Sequence, residues 1–226
     1  RDLIGVSSQQ ASASEIYAED WQYGNLGQVL AGYGTGTEAA DNYAQLALAL
    51  ASCGRYELAG HMIVKSGHTA RSEMGELAVL VLAHLSSDEN DPEVVFEPPI
   101  PGPEMSEVTE RRFWQRYDEA IALLMEGDVQ NSLKQLKSIP DVLLENSGPG
   151  LAFLHAYLLY YNGLYDDAID ILQELKSRPD GFSRSTPEVY YYLAKAHDRS
   201  YNYRSAVQEM RSYILMKLAQ KLERET

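Results

Sequence analysis

One spacing recurs four times along this chain and limits what it can fold into. Ala47, Ala120, Ala156 and Ala194 each stand seven residues before a turn position, at Gly54, Gly127, Gly163 and Tyr201. Tyr56, Val129, Tyr165 and Tyr203 follow the turn by two residues, and Ala59, Ser132, Ala168 and Ala206 follow it by five. Small side chains on both sides of a tight turn are what two antiparallel helices need if their axes are to approach within about 8–10 Å. Prolines punctuate the units. Pro140 and Pro179 follow second helices, whereas Pro149 and Pro187 open first helices, where a missing N–H does no harm. Ser185 with Glu188 three residues on predicts a capping box. The turns lie 73, 36 and 38 residues apart, so the long gap leaves room for one degenerate unit using a helix over 74–85. Alternating β-branched runs joined by Asn-Gly turns are almost absent. The expectation is an all-α chain of helical hairpins that stack to bury apolar faces none can bury alone.

These positions resemble the tetratricopeptide repeat family, whose unit is a helix–turn–helix of about 34 residues. The resemblance is strongest over 149–222, good over 40–67 and degenerate over 74–139. A Trp at the first core position is missing, Tyr201 replaces a turn glycine, and the units exceed 34 residues. It implies a right-handed solenoid of about four to five helix pairs with a concave groove that binds protein or peptide.

The flanks read differently. Residues 1–14 are rich in Ser and Gln and predict a loose start, followed by an N-terminal helical part over 15–87. A helix over 16–30 is weakened by Gly24 and Gly27, each costing about 1 kcal/mol relative to Ala. From 88 to 110 there are eight acidic residues before Arg111, and five of the nine prolines, so this stretch predicts an extended linker. Val94, Val95, Phe96 and Ile100 within it are candidates for docking onto the protein's own surface. The repeats resume over 111–226.

In the third unit, Ala152, His155, Ala156 and Leu159 form the stripe facing the partner helix, and Phe153, Tyr157, Tyr160 and Tyr161 lie about 100° away. That side lines the concave surface in the tetratricopeptide family. Helix 151–161 is apolar nearly all round, which predicts cover on every side. The same offsets nominate Trp114, Tyr117 and Ile121 in the preceding unit and Tyr191, Lys195 and Arg199 in the following one. The candidate partner-binding set is therefore Trp114, Tyr117, Phe153, Tyr157, Tyr161, Tyr191, Lys195 and Arg199. Tyr157 and Tyr160 stay open between core and contact, while Tyr161 and Tyr191 are expected to be accessible. Some family members grip a terminal carboxylate with Lys and Asn at groove positions. Here those positions hold Phe153, Tyr157, Tyr191 and Lys195, so that clamp is not expected.

Composition narrows the function further. A net charge of −14 argues against nucleic acid and anionic membrane as partners, and no apolar run approaches the roughly 20 residues that span a bilayer. Cys53 is the single cysteine, which excludes an internal disulfide and a Cys-rich zinc site. His61 and His68 lack a completing carboxylate pair, and His155 and His197 fall on repeat core positions. Gly32, Gly34 and Gly36 are followed by no Gly-Lys-Thr, Asp88 to Asp91 lack the glycine of a calcium loop, and no Gly-x-Ser-x-Gly elbow is present. Asp166 and Asp167 suit the start of a second helix. No catalytic residue, metal or cofactor is expected. The chain reads as a non-enzymatic scaffold or adaptor in a larger assembly. The alternative is self-association through helix 151–161 or the C-terminal helix 203–222.

Overall fold

A computed structural model of the chain describes residues 37–66, 72–87, 91–96, 98–99, 106–140, 143–144 and 147–225. The expected loose start, the helix over 16–30, the glycines at 32, 34 and 36, His68, the acidic run at 88–90 and Ile100 lie outside them. The described residues form α1 (Thr37–Ala51), α2 (Tyr56–Ser66), α3 (Glu73–Ser86), α4 (Glu107–Met125), α5 (Val129–Leu136), α6 (Pro149–Tyr161), α7 (Tyr165–Ser177), α8 (Phe182–Ser185), α9 (Glu188–Arg199) and α10 (Tyr203–Glu225). No strand occurs among the described residues, so the protein is all-α.

All four turns close the same way. Gly54, Gly127, Gly163 and Tyr201 have φ of +73°, +82°, +76° and +61°. Each donates its N–H to the carbonyl three residues back, at Ala51, Leu124, Tyr160 and Asp198. The next residue donates five back, to Leu50, Leu123, Leu159 and His197. These paired bonds are the Schellman closure, which satisfies carbonyls that the end of a helix leaves without donors. Glycine enters the left-handed region without a Cβ penalty, so three of the four positions carry it. All eight small residues flanking the turns are fully buried, at 0% exposure.

The chain divides into two compact units, Arg1–Asp91 with Tyr203–Ile214, and Pro92–Asn202 with Leu215–Thr226. This differs from the expected order of helical part, linker and repeats: the segment from Pro92 groups with the second unit, and α10 is shared. In the first unit α1 packs on α2, and both pack on α3. Its core is aliphatic, with Ala47, Leu48, Leu58, Met62, Val81, Leu82 and Leu85 buried, each large side chain stabilising by about 1.5–3 kcal/mol. Ser72 starts α3 by accepting the Gly75 N–H at 2.9 Å. The degenerate unit is thus a single helix, α3, and residues 91–96 form neither helix nor strand. From α10, Tyr203 meets Tyr56 edge-on at 6.1 Å and Tyr213 meets His84 at 5.8 Å.

In the second unit α4 pairs with α5 and α6 with α7; α5 also packs on α6, and α9 on α6 and α7. At the first crossing, Ser132 Oγ donates to the Ala120 carbonyl at 2.7 Å, a contact that only a small residue permits. Hairpins are tied at a repeat-length interval. Asn162 Nδ2 donates to the Val129 carbonyl at 3.2 Å, 33 residues away, and the Ser200 hydroxyl to Asp166 Oδ1 at 3.2 Å, 34 away. Asp166 and Asp167 are exposed in the first turn of α7, where acids suit the helix dipole. The capping box expected at Ser185 is absent. Ser185 ends α8, its hydroxyl donates to the Phe182 carbonyl at 2.9 Å, and Pro187 occupies the start of α9.

Candidate functional site

The residues that stand out lie on α6 and α9. Phe153, Tyr157, Tyr160, Tyr161 and Tyr192 form one connected set of rings. Tyr192 is its hub, 6.1 Å from Phe153, 5.0 Å from Tyr157, 5.6 Å from Tyr160 and 6.1 Å from Tyr161. Phe182 extends the set from α8, 6.4 Å from Phe153, and Tyr165 extends it from α7, 5.7 Å from Tyr160. Most pairs are edge-on, the arrangement that aligns the positive rim of one ring with the negative face of the next.

Among the four aromatic rings of α6, the two furthest in angle from Ala156 are the more exposed. At about 100° per residue, Tyr160 lies 40° from it, Phe153 60°, Tyr157 100° and Tyr161 140°. Phe153 and Tyr160 are buried, Tyr157 is half-buried and Tyr161 is 40% exposed. The four rings share one arc of α6 but not one depth: Phe153 and Tyr160 belong to the core, and only Tyr157 and Tyr161 reach the surface. Helix α6 is covered nearly all round, by α5, α7 and α9 and by a segment from outside any helix. That segment is 91–96, whose Phe96 ring lies 5.1 Å from Tyr157 and 5.9 Å from Phe153.

The other candidates separate in the same way. Tyr191, expected to be accessible, has no exposed surface, and Lys195 is 1% exposed. Tyr191 precedes Ala194 by three residues, which turns it about 60° toward the helix crossing, as for Phe153. Every residue from Tyr191 to His197 is buried, so α9 is enclosed on all sides and the basic edge expected at Lys195 is not offered to a partner. Arg199 is exposed. Tyr117 stands at the corresponding position on α4 and is buried; burial, reinforced by the charge of Asp118, pushes its phenol pKa up. Trp114 is half-buried, edge-on to Phe113 at 5.5 Å and to Tyr117 at 5.8 Å. Ile121 is half-buried.

Sequence reasoning missed Tyr192 and Phe182. Tyr192 lies two residues before Ala194, about 160° from the crossing, a position that would be exposed on an outer helix. The signal was the unbroken run Tyr190, Tyr191 and Tyr192, which sets a ring beside the polar arc of Glu188, Lys195 and Arg199 on α9.

Clefts open elsewhere in this unit. One of about 450 Å³ between α4 and the turn after α5 is lined by Arg112, Arg116, Ile139 and Pro140 among others. Another of about 280 Å³ between α6 and α7 is lined by Leu151, His155, Ile171 and Leu175 among others. Neither is lined by Tyr157 or Phe96. Among the described residues no group of three or more His, Cys, Asp or Glu is placed to hold a metal ion. Among them, too, no helix is long and apolar enough to cross a membrane. No protein-family model, curated protein or solved structure matches the chain.

Proposed function

We propose that this chain is a tetratricopeptide-like right-handed solenoid that works as a protein–protein interaction module, a non-enzymatic scaffold or adaptor in a larger assembly, and holds a peptide segment or helix on the aromatic side of α6. Four identical turn closures flanked by fully buried small residues, with hairpins tied 33 and 34 residues apart, support the repeat. The observation that carries the binding role is Phe96 against Tyr157 and Phe153, because that surface already accommodates an extended segment with an aromatic anchor. Tyrosine suits such a contact: it offers large area with few rotors and keeps a polar tip. The contact set on this reading is Tyr157 and Tyr161, with Trp114 and Arg199 at its margins.

The test is affinity capture with the wild-type chain and with a Tyr157→Ala/Tyr161→Ala variant as baits. Loss of specific partners by the variant, with helical circular dichroism unchanged, supports the module. An identical captured set would remove α6 from the binding role.

A second reading, self-association, is favoured by α10. Leu215, Leu218 and Leu222 follow the three-and-four spacing of a helix seam and are 52%, 47% and 65% exposed. Light scattering decides it: a mass of 25.3 kDa at every concentration excludes the seam as a dimer contact.

A further inference from the structure

The segment lying on α6 is more informative than a filler. Along it, Pro92, Val94 and Phe96 are half-buried, whereas Glu93 and Val95 are exposed, Val95 at 81%. That alternation is the period of extended backbone, with every second side chain turned to the protein. Pro99, three residues past Phe96, is buried as well. The segment contributes no helix or strand of its own, and Phe96 sits half-exposed over Phe153, which is 1% exposed. A segment held by three alternate side chains, with its one aromatic ring set against rings supplied by α6, has the form of a bound peptide rather than of a core element.

We propose that residues 92–99 are a displaceable cis ligand, and that the α6 side takes in trans an extended segment bearing an aliphatic side chain, an aromatic ring two residues later and a proline three residues after that. The inference rests on the interaction-module reading and names its partner chemistry. The inward residues Val94, Phe96 and Pro99 carry recognition. Glu93 points outward, so acidity is not what is read, and on a chain of net charge −14 a competitor with neutral or basic residues at the outward positions is favoured over the cis segment. The tether keeps the cis segment at a millimolar-order effective concentration, so a trans segment of micromolar intrinsic affinity binds weakly until the strap is freed.

The test uses the full chain and a fluorescein-labelled synthetic peptide of residues 91–99, followed by fluorescence anisotropy. The Phe96→Ala chain should bind this peptide about 10-fold or more tightly than the wild-type chain. A peptide carrying Phe96→Ala should lose binding, as should the Phe96→Ala chain once Tyr157→Ala is added. A peptide with Glu93→Lys should bind more tightly at low salt. Equal affinity for the wild-type and Phe96→Ala chains, or affinity independent of Phe96 in the peptide or of Tyr157 in the chain, overturns the proposal. Circular dichroism checks the fold, with Phe96→Leu as a variant that keeps apolar bulk. Loss of helical signal in both variants would make Phe96 a fixed core residue and likewise overturn it. Captured partners that depend on Tyr157 and Tyr161, combined with a peptide that fails to bind, would sink the partner chemistry while leaving the module intact; partners indifferent to both tyrosines would sink the module.

Discussion

Hairpins α1–α2 and α6–α7 share a skeleton and differ in what they clothe it with. Both close on a left-handed glycine with the same pair of backbone hydrogen bonds, and both bury an alanine on either side of the turn. Ten, six and two residues before the turn, α1 and the residue just past it carry Ala44, Leu48 and Ser52, whereas α6 carries Phe153, Tyr157 and Tyr161. The positions fixed by helix approach are therefore interchangeable between the two, and those just off the crossing are not. Helix approach and the aromatic cluster are written on different positions of the two hairpins.

The largest expected effect tests that separation directly. Phe153→Ala gives α6 the residue that α1 has in Ala44, yet should cost about 3–5 kcal/mol in urea unfolding, because the rings around it stay and leave a cavity. A cost below about 1 kcal/mol would mean that the two hairpins tolerate each other's side chains, and the comparison would fail. Next, Ala59→Leu and Ala168→Leu occupy equivalent crossings and should each cost about 1–3 kcal/mol by overpacking. Clearly unequal costs would show that the two crossings differ in closeness.

The turns sharpen the contrast at a smaller scale. Gly163→Ala meets nothing within 4 Å and should cost only the left-handed strain, about 1–2 kcal/mol. Gly54→Ala should cost about 1 kcal/mol more, since its Cβ would lie 2.4 Å from the Tyr203 ring and push it off Tyr56. Tyr201→Gly runs the other way. Tyr201 is 79% exposed and left-handed, so relieving it should raise stability by about 0.5–1 kcal/mol, read as a higher melting midpoint. Smallest of all is acid sensitivity in the second unit. The Asn131 side chain and N–H donate to Asp128, and the Arg178 guanidinium and the Phe182 N–H to Asp180, holding both carboxyls below the ordinary range. A lowered folded pKa contributes stability that is present above the unfolded value of about 4 and lost as pH falls through the folded one. Asp128→Asn with Asp180→Asn should flatten the melting midpoint between about pH 5 and 3.

The skeleton was legible in the sequence because its code is steric and local: a small residue seven before the turn and another five after it left little else to decide. Site residues were only half legible. The offsets pointed to α6, where the aromatic cluster lies, but Phe153, Tyr117 and Tyr191 sit three residues before the crossing alanine and turn inward with it. Lys195 and Tyr192 face away from that crossing and are buried all the same, because α9 is enclosed, which depends on neighbours that no single helix encodes. Phe96 was nominated as a docking residue from its place in a proline-rich stretch; its seat on Tyr157 and Phe153 required coordinates.

Each turn feeds the loose carbonyls of its first helix from its own two amides, so the bend inside a hairpin is saturated without help from a neighbour. Such a bend can therefore keep its shape while the side chains packed around it change, because none of these backbone groups waits on them.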